Sequence, residues 1–513
     1  MPHLFHGGRI ISHDPAVSEP QVLVVEDGRI AAAGDRELRR AYPGATAIDL
    51  AGRTLLPGFI DAHNHLSVAA LHPLWADVSD VADLDGLRAA LRDQAAREPQ
   101  ARWVRACLWD ESRTGLFLDR HGLDALGLDR PVIVAHYTLH QCAVNTQGLD
   151  ELGLGRGTPD PPGGLIARGA DGLPNGLLIE RAWSEAHARS VAAYGDRDRW
   201  ADLFEARMRQ LLRDGITAVH DAACSPAAEE VYAALRRAGR MRLSVLTMPH
   251  PAGILSRLDR ARLDGPPTGE GDELLRVGPV KLFADGGAQP AIQLTVGGQR
   301  GEPFGVEFPG LEEDVAAALE RGFRVAVHAL GNIGLAAALR ALAGATRRRR
   351  DGDHRLRIEH ACLVSRAQIA DMAALGVVGV VQPGFVDHVG RVVEGLSSEE
   401  ETWLAFGEME RAGVHLAASS DDPCAFHQPL RTSSHGATRR TGSGGVLGPE
   451  QAIDYEGWLR LYSTGAAHAG GQEHERGTLT PGKRADLVVL EGPLDPDHPP
   501  RVVETWVGGV REF

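Results

Sequence analysis

The sequence predicts an α/β fold: a (β/α)8 TIM-like barrel with a composite β-sandwich from both chain ends and a large insertion after barrel strand one. Three observations support this prediction: eight apolar runs alternate with helical patterns, the two ends share a β-rich texture, and one connection is unusually long. The implied boundaries are 1–56 with 472–513 for the sandwich, 57–471 for the barrel and about 68–195 for the inserted subdomain.

The two ends of the chain predict short strands. Residues 22–34 contain two β runs around an Asp27-Gly28 hairpin signal. Residues 485–490 and 502–510, near the other end, are also rich in residues that favour β-strands. Because chain termini often lie close together, we expect these runs to pair in one small sandwich.

The middle of the chain alternates strand and helix patterns. The first apolar run ends at His63, and seven more follow at 215–220, 243–248, 280–283, 323–328, 356–360, 377–382 and 414–420. Helical patterns separate several of them, at 200–213, 227–237, 312–321 and 333–342. Eight strand-then-helix units predict a parallel barrel, whose active site lies at the carboxyl ends of the strands.

One connection is far longer than a barrel needs. Roughly 150 residues separate His65 from Gly215, against about one or two dozen in a plain crossover. The stretch has turn signals of its own, including the Gly/Pro-rich patch 158–164. Because loops after the strands lie on the catalytic face, we expect a subdomain that covers this face.

Composition excludes several classes of partner. The chain has 513 residues, 43% hydrophobic and 24% charged, and its net charge of −15 argues against nucleic acid or an anionic membrane. Five scattered cysteines without Cys-x-x-Cys spacing indicate reduced thiols rather than a disulfide framework. No targeting segment or membrane span stands out, so we expect a cytoplasmic protein that acts on a small molecule.

Polar residues at the strand ends predict a metal centre. A strand places residues i and i+2 on one face, so His63 and His65 at the end of the first run can bind one divalent ion. Each strand-end residue alone is more often structural, but their convergence from five strands predicts metal binding. Zinc is the expected ion for imidazole and carboxylate ligands, and nothing in the sequence separates it from manganese or iron. The candidate ligands are His63, His65, Lys281, His328, His360 and Asp421.

These motifs resemble the amidohydrolase superfamily, and within it the YtcJ-like metal-dependent hydrolases that include N-substituted formamide deformylases. The likeness covers nearly the whole chain. It rests on residues 57–65 (PGFIDAHNH), 281–286 (KLFADG), 327–331 (VHALG), 357–360 (RIEH) and 420–423 (SDDP), with support from 144–146 and 477–490.

The resemblance implies a metal site of one or two ions. His63, His65 and Asp421 would hold one ion, His328 and His360 a second, and Lys281, carbamylated by CO2, would bridge the two. The alternative for Lys281 is an ion pair with Asp285 or Glu302, which would leave a single ion. The chain departs from its relatives at Asn332, where they commonly have an acid.

The leading function is metal-dependent hydrolysis of a non-peptide C–N bond in an amide, an N-formyl or N-acyl amine, or a cyclic amide. Metal-activated hydroxide would attack the carbonyl carbon, and Asp421 would pass the proton to the leaving nitrogen. The alternatives are deamination of an amidine-like ring, which usually needs a further acid after strand five, and a non-catalytic binding protein on the same fold, which the complete ligand set disfavours. The family also suggests a homodimer.

Four further residues are candidates for substrate binding. Trp109 and His140 lie in the insertion, and His220 and Gln382 end barrel strands two and seven. Packing for Trp109 and a hydrogen-bonded core position for His220 remain open alternatives.

Overall fold

The computed structural model describes residues 1–348 and 355–513. No helix among these residues is both long and apolar enough to cross a membrane. All five cysteines are buried and none forms a disulfide.

Strands and helices of the described residues follow each other in mixed α/β order. The strands are β1 (His3–His6), β2 (Arg9–Ile10), β3 (Val22–Glu26), β4 (Arg29–Gly34), β5 (Thr46–Asp49), β6 (Thr54–Pro57), β7 (Phe59–Asn64), β8 (Ala76–Asp77), β9 (Val104–Trp109), β10 (Val132–His136), β11 (Gln141–Val144), β12 (Gly164–Arg168), β13 (Pro174–Glu180), β14 (Ile216–Cys224), β15 (Ser244–Pro249), β16 (Leu275–Val277), β17 (Val280–Phe283), β18 (Thr295–Val296), β19 (Gln299–Arg300), β20 (Val325–Ala329), β21 (Arg357–His360), β22 (Leu363–Ser365), β23 (Val378–Val381), β24 (Glu401–Trp403), β25 (His415–Ala418), β26 (Leu487–Glu491), β27 (Arg501–Val507) and β28 (Val510–Arg511). The helices are α1 (Leu66–Ala69), α2 (Leu84–Arg97), α3 (Glu111–Thr114), α4 (Arg120–Asp124), α5 (Thr146–Leu152), α6 (Arg181–Ala192), α7 (Arg197–Arg213), α8 (Pro226–Arg237), α9 (Leu311–Glu320), α10 (Asn332–Arg348), α11 (Arg366–Leu375), α12 (Phe385–Val393), α13 (Phe406–Arg411), α14 (Pro429–Thr438), α15 (Tyr455–Arg460) and α16 (Ala466–Gly470).

The two ends of the chain share a sheet. One sheet has the order β4-β3-β1-β5, and the other has the order β2-β6-β26-β27-β28. In the second sheet β6 near the N-terminus pairs antiparallel with β26 near the C-terminus. Buried side chains from both ends, including Phe5, Leu23, Leu487 and Trp506, form one apolar cluster. Burial of this apolar surface stabilises the pairing of the two ends.

The insertion builds its own sheet. Strands β8 to β13 pair in the order β12-β13-β11-β10-β9-β8. Its last strand, β13, ends at Glu180, and α6 follows immediately. Helix α7 then leads back to the parallel strands, and Asp196 caps its first turn by accepting from the backbone N–H groups of residues 198 and 199.

Eight parallel strands lie where the sequence predicts them. They are β7, β14, β15, β17, β20, β21, β23 and β25, and the additional strand β16 extends the first of two sheets. One sheet has the order β16-β15-β14-β7, and the other has the order β17-β20-β21-β23-β25. The strands are buried nearly throughout, as expected for a parallel sheet covered by helices.

Strands β7 and β25 approach each other at their carboxyl ends, although no ladder joins them within the described residues. The Asp421 N–H donates to His63 O, and the His65 N–H donates to Asp422 O, each at 2.8 Å. Strand β7 already ends at Asn64, so His65 lies in the turn before α1. Strand alternation therefore does not place His65, which corrects the i and i+2 argument made from the sequence.

Candidate metal centre

Three buried side chains from two distant stretches converge at the carboxyl ends of β7 and β25. His63 Nε2 lies 3.3 Å from Asp421 Oδ1, and His65 Nε2 lies 3.2 Å from the same oxygen. The ligand atoms of the three residues all lie within 4.8 Å of one another. Imidazole nitrogens with a carboxylate oxygen are a donor set that zinc and related divalent ions bind. These residues therefore fit a divalent metal ion.

The histidine rings are oriented by hydrogen bonds that Nδ1 donates. Nδ1 of His63 lies 2.5 Å from Glu359 Oε2, and Nδ1 of His65 lies 2.9 Å from the carbonyl oxygen of Ala222. Both partners are acceptors, so each Nδ1 carries the hydrogen and each Nε2 presents its lone pair to the site. Burial, followed by the charge of Lys281, holds the pKa of His63 well below its usual value. The ring of His63 is therefore in the neutral state that a metal requires.

Asp421 is the acid of this site. Burial opposes its ionisation, but the close contact with His65 and the nearby imidazoles of His63 and His360 outweigh burial and hold its pKa below the usual range. Its backbone has a φ of +61°, and His360 at the end of β21 has a φ of +79°. Such conformations are uncommon for residues other than glycine and tend to cluster at functional sites.

Lys281 is buried beside the first ligand. Its Nζ lies 3.3 Å from His63 Nε2. Burial, opposed by the charges of Glu359 and Asp421, lowers its pKa to about 8. Among the described residues, Lys281 forms neither of the ion pairs considered from the sequence, with Asp285 or with Glu302. Asp285 instead accepts backbone N–H groups at 330, 331 and 291, and Glu302 is exposed.

His328 and His360 lie next to the first ligands. The ring centroids of His63 and His360 are 4.9 Å apart, and those of His360 and His328 are 4.6 Å apart. Gln382 Oε1 lies 2.9 Å from His360 Nδ1 and orients that ring. Among the described residues only the set His63, His65 and Asp421 brings three ligand atoms together.

A cavity of about 350 Å³ opens in front of these residues. Helix α12 forms one wall, with Phe385 stacked on the His360 ring at 5.8 Å. Asp421, His328 and His360 lie at its floor, and Tyr137, Thr138 and His140 reach it from the insertion. The other walls are largely apolar and include Pro290, Ile292, Phe304, Leu330, Val389, Val392, Val393, Leu396 and Trp403. The site therefore offers space for an uncharged group beside the ligands.

Of the four residues predicted to bind substrate, the structure places one at the cavity. His140 lines the cavity. Gln382 does not line it but forms a hydrogen bond with His360, which does. Trp109 is not among the lining residues; its Nε1 donates to Leu116 O at 2.8 Å inside the apolar core of the insertion. His220 is also away from the cavity, with Nδ1 3.0 Å from an Arg357 nitrogen in the buried layer beneath the ligands. Trp109 and His220 thus have the packing positions that the sequence left open.

Sequence reasoning missed the acids that hold the histidines. Glu359 joins His63 to the buried Arg357, which donates to both Glu359 oxygens at 2.8 and 3.0 Å. Glu180 binds His140 Nδ1 at 2.7 Å. Glu359 directly precedes His360, and strand alternation would send the two to opposite faces. The positive φ of His360 breaks that alternation where the strand ends, and the sequence carries no sign of it.

The side-chain amide of Asn332 has a clear structural partner. Its Oδ1 accepts from the Gln293 N–H at 2.9 Å, and its Nδ2 donates to Gln293 O at 2.8 Å. An ionised carboxylate could not donate the second bond. Asn332 therefore holds the segment that carries Ile292 in place through two hydrogen bonds, and this segment forms part of the cavity wall.

Comparison with known proteins places this site in a family. The family described as the amidohydrolase family matches residues 46–511. N-substituted formamide deformylase of Arthrobacter pascens is 33% identical over 96% of this chain and 95% of its own length, and the YtcJ amidohydrolase of Bacillus subtilis (strain 168) is 27% identical over 96% and 94%. A crystal structure of an uncharacterized metal-dependent hydrolase from Pyrococcus horikoshii superposes with a TM-score of 0.75 at 21% identity, covering 97% of this chain and all of that one. The resemblance read from the motifs is confirmed: this chain belongs to the amidohydrolase family and is a hydrolase of carbon–nitrogen bonds.

Proposed function

We propose that this protein is a metal-dependent hydrolase that removes the acyl or formyl group from an amine with an apolar substituent. The observation that carries the proposal is the buried set of His63, His65 and Asp421, of which Asp421 lines a largely apolar cavity together with His328 and His360. A charged substituent would lose its hydration in such a cavity without gaining a partner. The relative named N-substituted formamide deformylase supports a formamide or related amide as the substrate class.

The residues of the site divide the chemistry between them. A divalent ion held there would supply activated water at neutral pH, because metal binding lowers the pKa of water from 15.7 to about 7. The carboxylate of Asp421 faces both His63 and His65 and also lines the cavity. It is placed to take a proton from the attacking water and to return it to the leaving nitrogen. The released products are a carboxylic acid and an amine.

We propose further that the site holds two ions and that the eight parallel strands close into a barrel. His328 and His360 adjoin the first ligands and would hold the second ion, as the family pattern implies. The lowered pKa of Lys281, about 8, leaves more of its amine neutral than usual. The neutral amine is the form that reacts with CO2, and the resulting carbamate would bridge two ions with its oxygens. Zinc remains the proposed metal.

Metal stoichiometry combined with a substrate panel tests the function. We expect one or two divalent ions per chain, together with release of amine from N-formyl and N-acyl amines with apolar substituents. His65→Ala should lose both metal and turnover, whereas His388→Ala, which changes a cavity histidine outside the ligand set, should keep its metal. Less than one ion per chain in the purified protein would contradict the proposal. Release of ammonia from ring amidines without amide cleavage would instead support deamination.

A further inference from the structure

The insertion places one histidine at the edge of the metal centre. The ring of His140 lies 5.2 Å from that of His328, on the side of the cavity that the insertion covers. Among the described residues, His140 does not belong to the set of ligand atoms that are close enough to share an ion. His140 therefore adjoins the ligands without being one of them, and its ring faces the space that a substrate would occupy.

A buried carboxylate fixes the orientation of this ring. Glu180 is fully buried, and its Oε1 accepts from the backbone N–H groups of Ala288 and Gln289 at 2.8 Å each. Its Oε2 lies 2.7 Å from His140 Nδ1. The backbone N–H of Gly287 is also directed at that nitrogen, 2.8 Å away, and Nδ1 cannot accept this bond while it carries the hydrogen donated to Glu180. The two contacts compete, and the carboxylate prevails because charge-assisted hydrogen bonds are the stronger kind.

The hydrogen on Nδ1 determines what His140 can do in the cavity. A neutral imidazole with Nδ1 protonated has a lone pair on Nε2, which accepts and cannot donate. In the described part of the chain no donor lies within hydrogen-bond distance of His140 Nε2. A Cβ at Gly287 would lie 2.5–2.7 Å from Cδ2, Nε2 and Cγ of this ring, so the ring can take this position only beside a glycine. The ring therefore presents an unused acceptor next to the reaction site.

A secondary amide needs such an acceptor. Its N–H loses water on entering a cavity whose walls are largely apolar, and an unpaired buried donor costs about 1–3 kcal/mol. We propose that His140 Nε2 accepts the N–H of the scissile amide, so that the enzyme selects N-monosubstituted amides over N,N-disubstituted ones. Glu180 is the positioning residue that holds the ring. This inference rests on the proposed amide hydrolysis and names the substrate class of that same site.

The test compares an amide with its ester, in which oxygen replaces N–H at nearly the same size. The substrate is an N-acyl amine that the wild-type protein hydrolyses. His140→Phe keeps a ring but removes the acceptor, so kcat/KM for the amide should fall about 100-fold. The value for the ester should stay within about threefold, because the ester has no N–H to lose. His388→Phe changes the other non-ligand histidine of the cavity and should alter both values in the same proportion.

Glu180 is tested through a double-mutant cycle. Glu180→Gln should lower kcat/KM for the amide about tenfold in the wild-type background and should have no further effect when combined with His140→Phe, because it acts through that ring. A merely structural role would produce the same loss in both backgrounds. Metal content and thermal unfolding are measured for every variant, and His140→Ala replaces His140→Phe if that variant does not fold.

Three outcomes overturn the inference. They are an equal loss for amide and ester in His140→Phe, a loss of bound metal in that variant, and wild-type turnover of N-methylated amides as fast as of their N–H counterparts. By contrast, a wild-type protein that binds metal but hydrolyses neither amide nor ester would overturn the proposed function itself. The failures of the two proposals are thus distinguishable.

Discussion

Replacing Glu359 with glutamine removes the acceptor that orients His63. In the native site Glu359 Oε2 lies 2.5 Å from His63 Nδ1, so the ring is held with Nε2 toward Asp421. The glutamine side chain can offer its NH2 group to Nδ1 only if the ring changes tautomer, and the hydrogen then moves to the nitrogen that should bind metal. With its carbonyl oxygen turned to Nδ1, glutamine supplies a weaker, uncharged acceptor. Either outcome weakens the ligand.

The size of the effect follows from the position of Glu359 behind a ligand. Loss of such a partner lowers metal affinity about 10- to 100-fold, which corresponds to about 1.4–2.8 kcal/mol of binding free energy. Glu359 also carries the charge that balances the buried Arg357. Breaking a buried ion pair costs about 3–5 kcal/mol of folding stability. The variant should therefore be weaker in metal binding and also less stable.

A matched control variant distinguishes a loss of metal affinity from a loss of folding stability. Asp486 is a buried acid of the terminal sheets, and its Oδ1 accepts from Arg484 at 2.9 Å. Asp486→Asn should lower the free energy of unfolding in urea but leave the metal affinity unchanged. The assay is competition for metal against a chromophoric chelator at fixed pH. Wild-type affinity in a folded Glu359→Gln protein would refute the reasoning, as would an equal loss of affinity in Asp486→Asn.

Three further predictions concern Asp421, His427 and the apolar wall of the cavity. Asp421→Asn should lower kcat at least about 100-fold, through loss of proton transfer, and this loss of activity should exceed its loss of metal affinity in the same chelator competition; retained turnover would remove the proton-transfer role. Burial opposes protonation of His427, but hydrogen bonds to Asp214 and Asp422 outweigh it and raise its pKa from 6.5 to about 9. The folded protein then binds more protons than the unfolded chain between these values, so about 3 kcal/mol of stability is present below pH 6.5 and lost as the pH rises through about 9. Urea unfolding should show this slope in the wild-type protein but not in His427→Gln. Val389→Asp places a charge in the apolar wall and should lower kcat/KM for apolar substrates at least about tenfold with metal content unchanged; an unchanged value would exclude that wall from substrate binding.

The parallel strands could be predicted because their signals are local. Each is a short apolar run followed by a helical pattern, and the sequence-based run at 280–283 coincides with β17. The internal order of the insertion could not be predicted in the same way. Its sheet pairs β8 with β9 and β13 with β11, and such pairing depends on contacts between residues distant in sequence.

The convergence of the candidate ligands could be predicted because neighbouring parallel strands bring their carboxyl ends to the same edge. Side-chain direction could not be predicted where the backbone departs from regular strand. His360 and Asp421 have positive φ values at the strand ends, and His65 lies beyond its strand. Trp109 fills the core of the insertion rather than the cavity because packing partners distant in sequence decide its position. Strand pattern therefore indicates which residues reach an edge, but not what each side chain contacts there.

The candidate ligands also join the two parallel sheets through their backbone. The backbone bonds between the ends of β7 and β25 are made by His63 and Asp421 and by their neighbours. Below them Asp61 accepts from both the N–H and the Oγ of Ser420, which fixes the residue before Asp421. The ligand geometry is thus set by the folded backbone, so little conformational entropy remains to be lost when an ion binds. The cavity walls come instead from the insertion, α12 and the segments that carry Ile292, Phe304 and Trp403, so specificity can change there without moving the candidate ligands.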